Sequence, residues 1–387
     1  MRKSLLIAAM AGLAFVGCTE SELDQTVSTQ QAIKFNVPVV RSNTKAATEV
    51  GEVYRNDLSF RVFGHYYDAN YTNFANGVKY IDEAEATFRD GKNTWYPSKN
   101  GIDYYWPKNG TLTFIAYSPA NQDLVDKTDV RASGLTIINY VVDNESPNND
   151  MEDLMFSERA YNKKFSNQDS NFAGESDYDG VDLQFRHALA SIVFNARQDK
   201  VYPGTTIKIK GITLSNVAST GTFNQNLNDQ NGATNKTDKL DSGSSNSSAS
   251  WVTLNNNKVE YKVDLTTTAL NNTDTDFQKP YWPCTNSFEA PGFFGGDKNY
   301  FRNTDLLLIP QNLDNVKLTI NYSITSPDNS ELDQVHEETL TDQEWKIGYR
   351  YIYNIQFSFD PITFAPGVDV WVDAQDTNID NDYMNQN

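Results

Sequence analysis

The chain has 387 residues, with 32 Lys and Arg against 51 Asp and Glu, for a formal net charge of −19. So acidic a surface repels nucleic acid and anionic lipid headgroups and argues against both as partners. The 21 Tyr and 21 Phe, set among many Asn, Thr and Ser, describe strands joined by polar turns, in a chain long enough to bury two cores of ordinary domain size.

The first element is MRKSLLIAAMAGLAFVGC, residues 1–18. Arg2 and Lys3 make a positive start, and the apolar run Leu5–Ala14 has the length of a secretory core and is too short to span a bilayer. It closes on Phe15-Val16-Gly17-Cys18, which resembles the bacterial lipobox, with Phe15 where leucine is usual. The resemblance implies removal of residues 1–17, diacylation of Cys18, and anchoring through that lipid. Loss of Arg2 and Lys3 moves the formal charge from −19 to −21. With Cys18 acylated, Cys284 stands alone and no intrachain disulfide can form. Trp282-Pro283-Cys284 sits among aromatics with no His nearby, so Cys284 reads as a quiet thiol rather than a nucleophile. The acidic run Thr19–Asp24 resembles surface-export signals of Bacteroidota lipoproteins, or serves as a plain solvated tether. Residues 18–31 are read as that flexible tether.

Strict alternation starts at Ala32. Ile33, Phe35, Val37 and Val39 fall on one face of a strand, with Lys34, Asn36 and Pro38 on the other. Pro38 has no N–H to give a ladder, which predicts a sheet edge with one neighbour. Arg41–Thr48 (RSNTKAAT) follows as an exposed, easily cut loop. Further strands are predicted at Leu58–Tyr67, Leu112–Tyr117, Leu135–Val142, Val181–Ala196, Ile207–Val217, Val259–Leu265, Leu306–Ile309, Val316–Ile324 and Tyr349–Phe359. Asn224–Ser250 is rich in Asn, Ser, Gly and Asp and reads as a long surface loop. Leu112–Asn121 and Leu306–Asn312 echo one another, each a short strand ended by Pro before another β-rich run. Two successive sandwiches, 32–178 and 179–387, account for the echo, with the boundary in the polar stretch Asn162–Gly180.

Little in the chain points to catalysis. His65 lies in a strand pattern, His187 in Phe185–Leu189, and His336 in an acidic loop beside Glu337 and Glu338. There is no HExxH, paired-cysteine, GxSxG or P-loop motif, so neither a metal, a cofactor nor a catalytic residue is predicted. Asp143–Asp153 and Asp373–Asp382 miss the EF-hand spacing and read as solvated loop and tail. A hydrolase would need two carboxylates facing each other across a cleft, for which the sequence has no signature. Trp95-Tyr96 and Tyr104-Tyr105-Trp106 fit either a sugar-stacking platform or the seal of a sandwich core, and the second is favoured.

Taken in order, AIKFNV, TKA, FRVFG, YYWPKNGTLTFIAYSP, DLMF, VDLQFRHALASIVFNAR, LLLIPQ, LTINY and WKIGYRYIYNIQF resemble the fimbrillin family of Bacteroidales, lipoprotein precursors of type V pili. The resemblance covers nearly the whole chain after Cys18. It implies an all-β fold of two tandem transthyretin-like β-sandwich domains, and assembly into adhesive fimbriae rather than catalysis. It further implies transport to the outer membrane on the Cys18 lipid, and cutting after the first strand by an arginine- or lysine-specific protease. A strand from the C-terminal region of another fimbrial subunit then fills the groove left behind.

On this chain the strand removed is Ile33–Val40, whose apolar face (Ile33, Phe35, Val37, Val39) has to be replaced. Each such side chain, fully buried, is worth about 1.5–3 kcal/mol, and unpaired ladder groups add to the cost. The open groove is therefore a strong strand acceptor. The donor is read at Val368, Val370 and Val372, after the hinge Pro366-Gly367, or else this strand stays in its own sandwich. Arg41 is the expected cleavage position, with Lys45 and Arg55 as alternatives. The alternative function is a surface lipoprotein that binds glycans for polysaccharide uptake, which requires exposed, coplanar aromatic rings. The pilus reading has its own condition. It fails if the first segment lies between two hydrogen-bonded neighbours and the Arg41 loop is inaccessible.

Overall fold

A computed structural model describes residues 31–36, 39–40, 52–53, 58–68, 77–89, 94–131, 134–144, 151–165, 180–198, 203–227, 247–253, 256–269, 306–341, 343–357 and 363–370. The strands begin with β1 (Val39–Val40), β2 (Glu52–Val53), β3 (Phe60–Tyr67), β4 (Val78–Arg89), β5 (Thr94–Lys99) and β6 (Ile102–Asp103). Next are β7 (Thr111–Ser118), β8 (Thr128–Arg131), β9 (Gly134–Val141), β10 (Met155–Ser157), β11 (Ala160–Lys163) and β12 (Gln184–His187). The chain continues with β13 (Ala190–Gln198), β14 (Thr206–Ala218), β15 (Thr220–Leu227), β16 (Ser247–Thr253) and β17 (Lys258–Ala269). It ends with β18 (Leu306–Leu308), β19 (Val316–Thr325), β20 (Glu331–Leu340), β21 (Tyr349–Phe357) and β22 (Thr363–Val370). The fold is all-β, as its composition predicts.

The first sheet runs β2-β1-β12-β10-β7-β3-β4-β5-β6, with β11 also on β7. Three four-stranded sheets follow: β18-β13-β21-β22, β17-β14-β19-β20 and β16-β15-β9-β8. Alternation along β7 feeds two cores at once. Leu112, Phe114 and Ala116 enter one cluster with Ile33, Phe35, Phe60 and Trp95, while Ile115 and Tyr117 enter a second that holds the later sheets. β9 pairs along β15, so β8 and β9 of the first half of the sequence share one sheet with β15 and β16 of the second.

The run Val181–Ala196, predicted as one strand, is two. Val181, Leu183 and Phe185 lie in the first cluster, and Ala190, Ile192 and Phe194 in the second. The alternation slips by one residue at Ala188-Leu189, where Ala188 N–H donates to the Leu154 carbonyl and the Leu189 carbonyl accepts from Gly348 N–H. The slip turns the apolar residues of the run from the first core to the second, so the chain crosses over there.

Other expectations are corrected as well. Asn224–Leu227 pairs with Ser247–Ser250, so both ends of the predicted loop are strand; Gln225 is buried and its side-chain amide donates to the Ser157 carbonyl. β4 went unread because Asp82-Glu83 interrupts its alternation: Glu83 takes φ +57° at an irregularity in the β3–β4 pairing. His336 is not in a loop but in β20, paired along its length with β19. Acidic residues hid that strand, and they are tolerated because it is an exposed sheet edge with cross-strand partners such as Lys317–Glu337 at 2.6 Å.

Candidate strand-acceptor groove

The segment 31–36 lies in a slot whose two walls come from distant parts of the chain. On one side Ile33 N–H donates to the Tyr104 carbonyl (2.8 Å), Phe35 N–H to the Trp95 carbonyl (2.9 Å), and Trp95 N–H back to the Phe35 carbonyl (3.1 Å). Trp106 N–H donates to the Gln31 carbonyl at 3.0 Å. On the other side Asn36 N–H donates to the Val181 carbonyl (3.0 Å) and Val181 N–H to the Lys34 carbonyl (2.9 Å). Farther along, Val39-Val40 runs parallel to Gln184-Phe185. β12 joins β10, β7, β3, β4 and β5 in turn, so the first segment closes that sheet into a ring.

Ile33 and Phe35 point into the ring and are 0% exposed. The Phe35 ring meets Phe60 and Phe114 edge-on, with centroids 5.6 and 5.2 Å away. Trp106 in turn packs edge-on against Phe114 at 5.9 Å. Trp95 is held in the wall by its indole N–H, which donates to the Leu58 carbonyl at 3.1 Å. Opposite it, Gly180 has φ +127°, and a Cβ there would stand 2.6 Å from the Asn36 nitrogen and 2.9 Å from the Phe35 carbonyl carbon. Only glycine lets the two backbones come this close.

The edge position predicted from Pro38 is therefore wrong. The segment has hydrogen-bonded neighbours on both sides, because the ring closes around residues 32–36 ahead of the proline and satisfies their polar groups. One half of the condition against the pilus reading is thus met. The other half concerns the loop 41–50, which, with Arg41 and Lys45, lies outside the described residues, as do Cys18, Arg55, Val37 and Val372. Val39 is in strand β1 between β2 and β12. Val368 and Val370 are in β22, paired with Tyr351 and Tyr349 of β21, so the candidate donor is an edge strand of its own sheet. The sequence marks Trp95 and Tyr104 as core seal or sugar platform and not as slot walls, and Gly180 beside an alternating run is the one signal on the Val181 side.

The fimbrillin-like family profile matches residues 44–371. The chain belongs to that family. A fimbrial protein from Bacteroides vulgatus superimposes with a TM-score of 0.50 at 16% identity, over 88% of this chain and 100% of the other. A candidate cell-adhesion protein from Bacteroides ovatus gives 0.46 at 14% identity, over 89% and 98%. The tip fimbrial protein Mfa3 of Porphyromonas gingivalis, with its C terminus truncated, gives 0.31 at 11% identity, over 81% and 94%. A search of curated protein sequences finds no match.

Membership makes this fimbrillin-like chain a fimbrial subunit with other subunits as partners and a cell-surface or extracellular place of work, and it points to a structural rather than a catalytic role. Among the described residues no helix is long and apolar enough to cross a membrane, and no group of three or more His, Cys, Asp or Glu is placed to hold a metal. The histidines have structural settings. His187 Nδ1 lies 2.7 Å from Asp153 Oδ2, both buried. His65 is buried in β3, and burial pushes its pKa below 6.5, helped by Lys79 and opposed by Asp82. The glycan platform loses its surface, since Trp95 (0%), Tyr96 (6%) and Trp106 (4%) are enclosed, Tyr104 is half-buried, and Tyr105 (41%) alone of the five is exposed.

Proposed function

We propose that this chain is the lipoprotein precursor of a type V fimbrial stalk subunit, assembled by donor-strand exchange and serving adhesion. It travels to the outer membrane on the Cys18 lipid, and an arginine-specific protease cuts at Arg41. The segment that carries Ile33 and Phe35 then leaves, and a C-terminal strand of another subunit takes its slot. The domain units 32–178 and 179–387 belong to the same proposal.

The observation that carries this reading is the enclosure of Ile33 and Phe35 in a slot with ladder groups on both walls. Two neighbours make spontaneous release slow, so a protease is needed to start it. The same two neighbours make the emptied slot demanding: Trp95, Trp106 and Val181 lose acceptors, Trp95, Tyr104 and Val181 lose donors, and the apolar ring opens to water. A strand with alternating apolar residues answers all of these at once. β22, hydrogen-bonded to β21 alone among the described residues, is the most readily detached strand of that character.

Purified mature protein treated with an arginine-specific protease is expected to lose residues up to Arg41 and to give a ladder of high-mass species resistant to mild SDS. Complete cleavage at Arg41 without a ladder would overturn the stalk assignment. A mature N-terminal peptide without acyl groups on Cys18 would overturn the lipid anchor.

A further inference from the structure

We infer that the slot admits the C-terminal strand of a second copy in one register, with Phe364 in the place of Phe35, and that Val368, Val370 and Val372 are not the residues that fill the apolar pocket. The inference rests on the strand-exchange reading above and specifies its contacts.

The slot sets three requirements. The occupant needs an N–H at the positions of Ile33, Phe35 and Asn36, which donate to Tyr104, Trp95 and Val181. It needs a ring at the Phe35 position, where Phe60 and Phe114 hold the side chain edge-on and no solvent reaches. It needs a close backbone approach to Gly180 at the Phe35–Asn36 peptide, which favours a small residue next to the ring.

Sliding residues 364–372 through the slot with the even-numbered ones, the face of Val368 and Val370, toward the pocket tests each register of that face. Pro366 at the Phe35 position has no N–H for Trp95. Val368 there puts Pro366 at the Ile33 position, with no N–H for Tyr104. Val370 or Val372 there satisfies the backbone but sets a three-carbon side chain in a pocket shaped for a ring, a void that packed cores penalise. Phe364 there fills the pocket, and Ala365 follows as the small residue with an N–H for Val181. Thr363 takes the half-buried Lys34 position, and Pro366 falls beyond Asn36, the last described donor of the segment. In sequence Ile362, outside the described residues, stands two before Phe364 as Ile33 stands two before Phe35.

The test uses the full mature chain with a site for a sequence-specific protease built into residues 42–47, cut so that the first segment can exchange. Fluorescein-labelled peptides of residues 31–40 and 361–370 are titrated by anisotropy. Both are expected to bind. Phe364→Ala is expected to weaken the second peptide at least 10-fold and Val370→Ala less than 3-fold. The reverse order, a 361–370 peptide that does not bind, or failure of both peptides overturns the inference. A separate arm follows SDS-resistant ladders of the cut chain. Peptides that bind in the expected order without any ladder sink the fimbrial-assembly reading and leave the slot's register standing.

Discussion

The first segment and the last strand carry similar alternating apolar sequences and sit in opposite situations. Residues 31–36 are gripped on two sides by Trp95, Tyr104, Trp106 and Val181, whereas β22 has, among the described residues, β21 on one side only. An alternating pattern therefore says that a strand has an apolar face, and nothing about how many neighbours hold it. What separates the two is the ring. The first segment supplies the missing stave between β5 and β12, so removing it opens a core, while β22 extends a sheet that is already three strands wide.

The largest expected effect breaks the grip from inside. Phe35→Ala empties the pocket between Phe60 and Phe114 and is expected to destabilise the uncut chain by about 3–5 kcal/mol, measured by urea unfolding. A loss below about 1 kcal/mol would mean that the first segment is no better held than an edge strand. Gly180→Ala attacks the wall instead. A Cβ at φ +127° and 2.6 Å from the Asn36 nitrogen is expected to cost roughly 2–3 kcal/mol through strain and displacement, and to raise the exchange rate of the Phe35 and Asn36 amides. Unchanged exchange would show that the slot widens freely.

A third expectation concerns pH. The folded pKa of His65 lies below its unfolded value of 6.5, chiefly because β3 buries it. Above pH 6.5 both states are neutral; below it the unfolded chain takes up the proton first. Stability from this residue is therefore present at neutral pH and declines as pH falls through 6.5 toward the folded pKa. His65→Gln is expected to flatten the fall of melting temperature between pH 7 and pH 5, and an equal slope in both proteins would assign the fall to other groups. The smallest effect belongs to an edge away from either terminal strand. Lys317→Met breaks the pair with Glu337 on exposed β20 and is expected to shift the melting temperature by less than about 1 °C, since such surface pairs contribute little.

The predicted strands at Leu112, Leu135, Val316 and Tyr349 are all found, within a residue or two, because half-buried strands of aromatic and β-branched residues write their period into the sequence. β4 and β20 stayed hidden because bulges and charges break that period while hydrogen bonding to neighbours keeps the strand. The slip at Ala188-Leu189 was present in the letters as a change of parity. Its meaning, a passage from one core to another, needs the second core to be in place. The slot was legible on one side only: Ile33 and Phe35 announced an apolar face, but Trp95 and Val181, separated by 86 positions, gave no sign of facing the same six residues.

By itself the sequence determined that the chain is all-β and that its opening segment has an apolar face, because alternation and composition are local properties of a pleated backbone. Tertiary structure alone decided that this segment stands between two neighbours and that, among the described residues, β22 has one. Hydrogen-bond partners across a sheet are set by ring closure between distant strands, and no local pattern encodes which edges meet.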